Sequence, residues 1–408
     1  MSVTEIQAQI DKLSAEIVRQ KNLLTNLERS KSAAQRRLNA VRDPVARLPL
    51  EISSEIFIKC LPTRPNPGGR HAPMLLANVC NAWSDIALST PALWAAIHFH
   101  NPPVDLTRVL DAWIERAGSR LLSLSLPHTL SGDVSAIIGP RAHRLQSLKM
   151  CHDNAGIRLI TAAGPFPILK TLTMSMIDGW DKFTSTGATM DMLRACPNLM
   201  ECFLDDVQYD EHDSDAAEML ILPHLQHLKF GTHDSPSGDF ILQRITLPGL
   251  RTLFIPFVAI QPDGLLQFLR RSSPPLRQLG VGDVAGWVEW TLHEMEECLS
   301  LLPILTHFEL FRQRGLAPHH FLTILATSPH LLPNLSSVTF GLLFSPAELL
   351  YQKLVGALLA RRTQLHVVRV VWEDTRSELP RENVAAQLRQ FAADGMSIYL
   401  GTEERNYI

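Results

Sequence analysis

One apolar pattern recurs along most of the chain: a leucine is followed by apolar residues three and five positions later. Ten copies lie between Leu121 and Val370, and their first residues are 24 to 30 positions apart. The last two apolar positions flank one residue, which is the alternation that a half-buried strand requires. Segments with helical spacing separate the copies, so that short strands are predicted to alternate with helices. The ten copies begin at Leu121, Leu145, Leu169, Leu199, Leu225, Leu250, Leu276, Leu305, Leu335 and Leu365.

The period in the twenties and the core pattern resemble those of leucine-rich repeats. The resemblance implies an α/β solenoid of short parallel strands and helices over residues 95–408, with an opening strand after Trp94 and a final strand around Ile398. Where the family places Asn or Cys after the strand, this chain has residues such as Asp153 and Val207. We therefore expect neither the family's asparagine ladder nor its uniform curvature. An ordinary α/β domain is the alternative, which ten copies at near-constant spacing disfavour.

In a solenoid of this type the strands line the concave face, and the residue between the last two apolar positions points outward. Two outward aromatics are candidate hot spots, since aromatic residues are enriched at such sites. For either aromatic, an ordinary surface position is the alternative. We expect this row of residues to bind an unknown protein substrate. The candidate substrate-binding residues are Lys149, Phe203, Lys229, Phe254, Glu309 and Arg369.

The first 43 residues carry apolar residues at alternating spacings of three and four, and residues 4–42 contain no glycine or proline. Nine of eleven seam positions are apolar, and Gln20 and Lys31 occupy the other two. This pattern predicts a long coiled-coil helix over residues 1–43. Such a helix cannot bury its seam against itself. We expect a homodimer, most simply a parallel one, with another protein as partner or a solvated single helix as the alternatives. The seam positions are Ile6, Ile10, Leu13, Ile17, Gln20, Leu24, Leu27, Lys31, Ala34, Leu38 and Val41.

Apolar residues for three short helices lie between Leu48 and Trp94. So short a segment does not close a sturdy core alone, and we expect it to dock onto something else. In the first helix, residues spaced by four from Leu48 form one face, and Phe57 lies on another. Residues 76–83 are predicted to form a second helix, and Pro91 follows the end of the third.

This segment resembles an F-box of the divergent fungal F-box-like type, which begins LP-x-E and ends V-C-x-x-W-x-x-IA-x-x-TP-x-LW. The loop over residues 62–73 is longer than that of the compact form. The resemblance covers residues 44–94 and implies that they hold a Skp-type adaptor of a cullin–RING ubiquitin ligase. A three-helix cap on the following residues is the alternative. The residues that would form or support the adaptor-binding surface are Leu48, Pro49, Ile52, Ile56, Phe57, Val79 and Trp83.

Composition and charge exclude several classes of protein. The chain is 46% apolar and 19% charged, which indicates a globular protein. A net charge of −3 provides no excess of positive charge for binding nucleic acid or an anionic membrane. The six cysteines show no CxxC spacing and predict reduced, mostly buried thiols in the cytoplasm or nucleus. Neither a signal peptide nor an apolar membrane span is expected.

Sequence signals for catalysis are missing. The chain has no G-x-S-x-G motif, no P-loop and no dinucleotide-binding glycine spacing. His319-His320 and Cys151-His152-Asp153 do not repeat with metal-ligand spacing. We therefore expect no enzymatic activity, cofactor or metal.

Two functional hypotheses remain. In the first, the protein is the substrate-recognition subunit of an SCF-type ubiquitin ligase, with the F-box on the adaptor and the repeats on the target. In the second, it is a non-ligase interaction scaffold in which the F-box-like helices cap the solenoid.

Overall fold

A computed structural model describes residues 3–99, 105–127, 132–150, 154–175, 184–205, 207–208, 219–231, 238–255, 261–282, 290–313, 316–373 and 380–408. The chain divides into two compact units, Met1–Leu122 and Ser123–Ile408. The described part of the first unit contains helices and one strand, and residues 60–73 form a long connection between two of the helices. Its elements are α1 (Val3–Arg42), α2 (Leu50–Lys59), α3 (Met74–Ala77), α4 (Asn81–Leu88), β1 (Ala96–His98) and α5 (Leu106–Arg116), with 3₁₀ turns at Val45–Arg47 and Pro91–Trp94.

The N-terminal helix α1 is continuous over 40 residues, which confirms the predicted helix but not its pairing. It ends at Arg42, directly before Asp43-Pro44, as expected for a residue pair that disfavours the α conformation. Seam residues such as Leu13, Ile17 and Leu24 are more than half exposed. From Leu13 to Leu38, the apolar seam residues of α1 thus form an uncovered stripe.

The second predicted helix of the F-box-like segment is wrong in the structure, because the chain leaves the helical conformation between α3 and α4. Cys80 is extended, with φ −157° and ψ 172°, and starts α4 as its N-cap. Its side chain is 2% exposed and belongs to the core of the first unit. The end of α4 before Pro91 is as predicted.

Two tryptophans form the core of the first unit. Trp94 is fully buried, and its ring meets that of Trp113 edge-on at a centroid distance of 4.9 Å. The Trp94 indole N–H donates to the carbonyl of Ala87 at 2.8 Å, and that of Trp113 to the carbonyl of Ala96 at 3.1 Å. Both buried indoles are therefore satisfied.

Helix α5 has a capping residue at its start and a glycine after its end. A carboxylate oxygen of Asp105 accepts a hydrogen bond from the backbone N–H of Arg108 at 3.0 Å, as an N-cap does. Gly118 has φ +56°, the left-handed conformation that commonly follows a helix end.

The second unit alternates strands with helices. Its strands are β2 (Leu122–Ser125, which begins at the last residue of the first unit), β3 (Leu145–Met150), β4 (Thr171–Met174), β5 (Thr184–Ser185), β6 (Glu201–Leu204), β7 (Val207–Gln208), β8 (Leu220–Ile221), β9 (His227–Phe230), β10 (Ile245–Thr246), β11 (Thr252–Ile255), β12 (Gln278–Gly282), β13 (His307–Gln313), β14 (Ser337–Leu342), β15 (Val367–Trp372) and β16 (Ser397–Gly401). Its helices are α6 (Gly132–Ile138), α7 (Asn154–Ala162), α8 (Thr186–Arg194), α9 (Gly238–Arg244), α10 (Pro262–Ser272), α11 (Leu292–Ser300), α12 (Ala317–Thr327), α13 (Glu348–Ala360) and α14 (Glu382–Ala393).

The strands of the second unit follow one another in chain order across a sheet. The order is β2-β3-β4-β6-β9-β11-β12-β13-β14-β15-β16, and each neighbouring pair from β3 onward is parallel. The pairs β5–β7 and β8–β10 are small separate ladders. The sheet has a strand at each of the eleven predicted positions from Leu122 to Leu400, and ten of these strands pair in parallel with their neighbours. This arrangement confirms the α/β repeat sheet.

The core of the second unit contains apolar residues that alternate along each strand with outward ones. Leu148, Leu253 and Val368 are at most 1% exposed. Aromatic rings join strands to helices, as where Phe308 stacks on Phe321 at a centroid distance of 4.3 Å. This alternation decides which residues the sheet presents to a partner.

Candidate protein-interaction surfaces

Helix α2 exposes two isoleucines, whereas a serine and Phe57 are its buried residues. Ile52 and Ile56 are 51% and 39% exposed, and Leu48, which precedes the helix, is 41% exposed. Ser53, by contrast, is fully buried, and its hydroxyl donates to the carbonyl of Val45 at 3.0 Å. We call the exposed set Leu48, Ile52 and Ile56 the α2 face. An amphipathic helix that turns its isoleucines to solvent is typical of a docking surface.

A chain of hydroxyl groups holds the inner side of α2 in place. The hydroxyl of Thr90 donates to the carbonyl of Ile86 at 2.7 Å, so that the Ser54 hydroxyl, 2.7 Å away, donates to Thr90. These hydrogen bonds tie α2 to the end of α4, in addition to the packing of Phe57 of α2 against Trp83 of α4. The orientation of the α2 face is therefore fixed by polar groups together with one aromatic contact.

Two of the predicted adaptor-binding residues lie beneath this surface. Phe57 is 1% exposed, and its ring packs against that of Trp83 at a centroid distance of 5.1 Å. Trp83 donates its indole N–H to the carboxylate of Asp43, whose other oxygen accepts from the backbone N–H of Val45 at 2.9 Å. Phe57 and Trp83 can therefore support the surface on which a partner docks, rather than insert into that partner.

The remaining predicted adaptor-binding residues are solvent-accessible. Val79 is 43% exposed, and Pro49 is exposed as the N-cap of α2. Asp43 was not predicted, although its position at the end of α1 and before a proline was the signal that could have identified it. Leu50 and Leu75, each 47% exposed, were not among the predicted residues either.

The second surface is a continuous row of outward residues across the sheet. All six predicted substrate-binding residues belong to it, because the strand registers bring them opposite one another. At about 4.8 Å per strand, Lys149 and Arg369 are roughly 40 Å apart along the row, so that the six form an extended surface rather than one pocket. We call the following set the outward row: Lys149, Thr173, Phe203, Lys229, Phe254, Gly280, Glu309, Thr339, Arg369 and Tyr399.

An aromatic cluster occupies the middle of the outward row. The ring centroids of Phe254 and Phe311 are 5.9 Å apart. The ammonium of Lys229 lies 5.4 Å from the ring centroid of Phe254. Gly280 makes this meeting possible, because a Cβ there would lie 2.6 Å from an atom of each ring. The sequence did not reveal Phe311, which lies one outward position beyond the row; the glycine between aromatic strands was the available signal.

A cleft of about 730 Å³ lies at the C-terminal end of the row, near Arg369. Arg369 stacks over Tyr399 at 5.2 Å, and burial raises the pKa of the Glu309 carboxyl while the charge of Arg369 opposes that shift. Four carboxylates and one guanidinium line the cleft, which favours a cationic group on the partner. The charged lining residues are Glu309, Arg369, Glu373, Glu403 and Glu404.

The described residues show neither a metal-binding cluster nor an activated thiol at Cys196 or Cys298. Among these residues, no group of three or more His, Cys, Asp or Glu is arranged to hold a metal. Burial raises the pKa of the Cys196 and Cys298 thiols to about 12, so that neither is a nucleophile at neutral pH. No helix in the described ranges is long and apolar enough to cross a bilayer. The acidic sequence over residues 209–215 lies outside the described residues.

No family model matches this chain. Among solved structures, it is similar to the leucine-rich repeat-containing protein LegL7 from Legionella pneumophila. The two share 14% sequence identity with a TM-score of 0.37, over 73% of this chain and 97% of LegL7. At this identity and TM-score, the similarity assigns neither a family nor a function to the chain.

Proposed function

We propose that this protein is a substrate-recognition subunit of a cullin–RING ubiquitin ligase of the SCF type. The α2 face binds a Skp-type adaptor, the outward row binds a protein target, and the other subunits perform the transfer chemistry. The protein itself is not an enzyme in this proposal, and it acts in the cytoplasm or the nucleus. The observation that carries the proposal is the exposure of Ile52 and Ile56 on α2.

The resemblance to F-box-like segments supplies the identity of the partner. The exposure of the α2 face favours a partner protein, because burying apolar area of this kind is what drives association.

Changing Ile52 or Ile56 to aspartate is expected to weaken adaptor binding at least about tenfold, since the variant buries an unpaired carboxylate in an apolar interface. The measurement is the Kd of the purified full-length chain for a recombinant Skp-type adaptor, by isothermal titration calorimetry. Because Ile52 and Ile56 are exposed, neither variant is expected to change the far-UV circular dichroism spectrum.

Leu359→Asp is the matched control, since Leu359 is 62% exposed on a helix of the second unit. It should bind the adaptor as tightly as the wild type. Equal binding by the wild type and both isoleucine variants would refute the α2 face as the interface. Failure of the wild type to bind the adaptor would refute the ligase assignment and leave the interaction-scaffold hypothesis.

Changing Phe254 to serine is expected to remove target proteins while leaving the adaptor bound, because the two surfaces consist of different residues. The measurement is quantitative mass spectrometry of proteins captured with tagged wild type and variants in cells. Phe344→Ser is the matched control, as Phe344 is 61% exposed and lies outside the outward row.

The two surfaces should separate in this experiment. Proteins lost with Phe254→Ser should be retained with Phe344→Ser and with Ile52→Asp, whereas the adaptor should be lost only with Ile52→Asp. If Phe254→Ser and Phe344→Ser yield the same set of proteins, the outward row is not the target-binding surface.

A further inference from the structure

The uncovered seam of α1 contains polar residues at two interior positions. Leu13, Ile17, Leu24, Leu27 and Leu38 are 44–59% exposed. Gln20 and Lys31, also exposed, interrupt this apolar stripe. A second copy of α1 would cover the stripe, and the two polar residues restrict how that copy can be placed.

A parallel pair in register would place Lys31 against Lys31 of the second copy. Two ammonium groups would then face each other in the interior of the interface, which like-charge repulsion and desolvation both oppose. The same pair would bring Glu16 near Lys21 of the second copy, but an ion pair at an exposed edge contributes little. Parallel pairing therefore leaves its interior charges uncompensated.

An antiparallel pair can place Lys31 against Gln20 of the second copy. In that register, the other described seam residues meet apolar partners: Leu13 meets Leu38, Ile17 meets Ala34, and Leu24 meets Leu27. Sliding the helices by one heptad would place Lys31 against Leu13 or Leu27 instead. Among antiparallel registers one heptad apart, this one alone pairs the polar positions with each other.

The side chains around Gln20 are arranged to accept a cation. The Gln20 amide N–H donates to a carboxylate oxygen of Glu16 at 2.8 Å, which leaves the Gln20 carbonyl oxygen as an acceptor. The Glu16 carboxylate, one turn away, also pairs with Arg19 at 3.3 Å. An ammonium from the second copy would thus meet an acceptor and a nearby negative charge.

We propose that α1 pairs with α1 of a second copy as an antiparallel coiled coil in which Lys31 faces Gln20. The two-fold axis lies between Leu24 and Leu27. The segments that follow α1 in the two copies then begin on the order of 50 Å apart, at 1.5 Å per residue. The pairing gives the dimer two separated sets of interaction surfaces, and it does not depend on the ligase assignment.

Disulfide cross-linking of the full-length chain distinguishes the orientations. Leu13→Cys and Leu38→Cys are made separately in a Cys60→Ser background, because Cys60 is an exposed thiol. The two variants are incubated alone and as a mixture in a glutathione redox buffer, after sedimentation velocity has established the oligomeric state. We expect a dimer and a disulfide-linked species in the mixture, with neither variant cross-linking alone.

The opposite pattern would overturn the inference. A disulfide-linked dimer of Leu13→Cys alone and of Leu38→Cys alone would show parallel pairing. A wild-type chain that sediments as a monomer at tens of micromolar would show that a different protein, or solvent, covers the seam. As a position control, Leu23→Cys lies outside the seam layers and should not form the mixed species with Leu38→Cys.

Discussion

Replacing Arg361 by methionine is expected to lower the free energy of unfolding of the second unit by about 3–5 kcal/mol. Arg361 is 3% exposed, and its guanidinium donates to the carbonyls of Leu325 at 2.9 Å and Ser328 at 2.7 Å. It also donates to the carbonyls of Pro329 at 3.0 Å and Leu331 at 2.9 Å. Each buried acceptor left without a donor costs about 1–3 kcal/mol, and methionine fills the space but donates nothing.

The neighbouring arginine provides the control for this prediction. Arg362 is 56% exposed at its side chain and pairs with Asp394, so that Arg362→Met should change stability by at most about 1 kcal/mol. Urea unfolding of both variants measures the difference. Hydrogen exchange should locate the loss in β14 and β15, between which Arg361 lies in the sequence. Equal stability of the two variants would show that water satisfies the carbonyls in place of the guanidinium.

Replacing Trp94 by alanine is expected to destabilise the first unit by about 3–5 kcal/mol, the usual cost of removing a fully buried large aromatic. The change removes the edge-on contact with Trp113 and leaves the carbonyl of Ala87 without its donor. It also removes the cation–π contact of Arg116, whose guanidinium carbon lies 4.6 Å from the Trp94 ring centroid. The helices that position the α2 face would lose their common core.

Hydrogen exchange of the full-length chain measures this effect unit by unit. In Trp94→Ala, amides of α4 and α5 should exchange faster, while those of β13 to β15 keep wild-type protection. Leu48→Ala is the control, because Leu48 is 41% exposed and its truncation opens no cavity. Wild-type protection of α4 in Trp94→Ala would show that the first unit does not depend on this core.

The outward row was predictable from the sequence because a strand has a period of two. Once Leu148 and Met150 are assigned inward, Lys149 must point the other way, and near-constant spacing between copies keeps the register from strand to strand. The helix α1 was equally predictable, since its apolar spacing continues without glycine or proline. In both cases a local geometric rule decides the outcome.

Other features depend on contacts between residues far apart in the chain. The break at Cys80, the burial of Phe57 beneath Trp83 and the link from Asp43 to Trp83 each join separate elements. The spacing of apolar residues within one helix cannot predict that Asp43 lies next to Trp83, because the two residues belong to different parts of the chain. The cluster of Phe254 and Phe311 likewise required the structure, because Gly280 allows the two rings to meet across an intervening strand.

The sequence by itself determined the alternation of strands and helices, the residues of the outward row and the long N-terminal helix, because side-chain direction follows from backbone period. Only the tertiary structure decided which apolar residues of α2 are covered. Ser53 is inside because its hydroxyl reaches the carbonyl of Val45, and Ile52 and Ile56 are outside because no described element packs over them. Period distinguishes two faces of a helix, whereas the neighbours that cover one of them come from elsewhere in the fold.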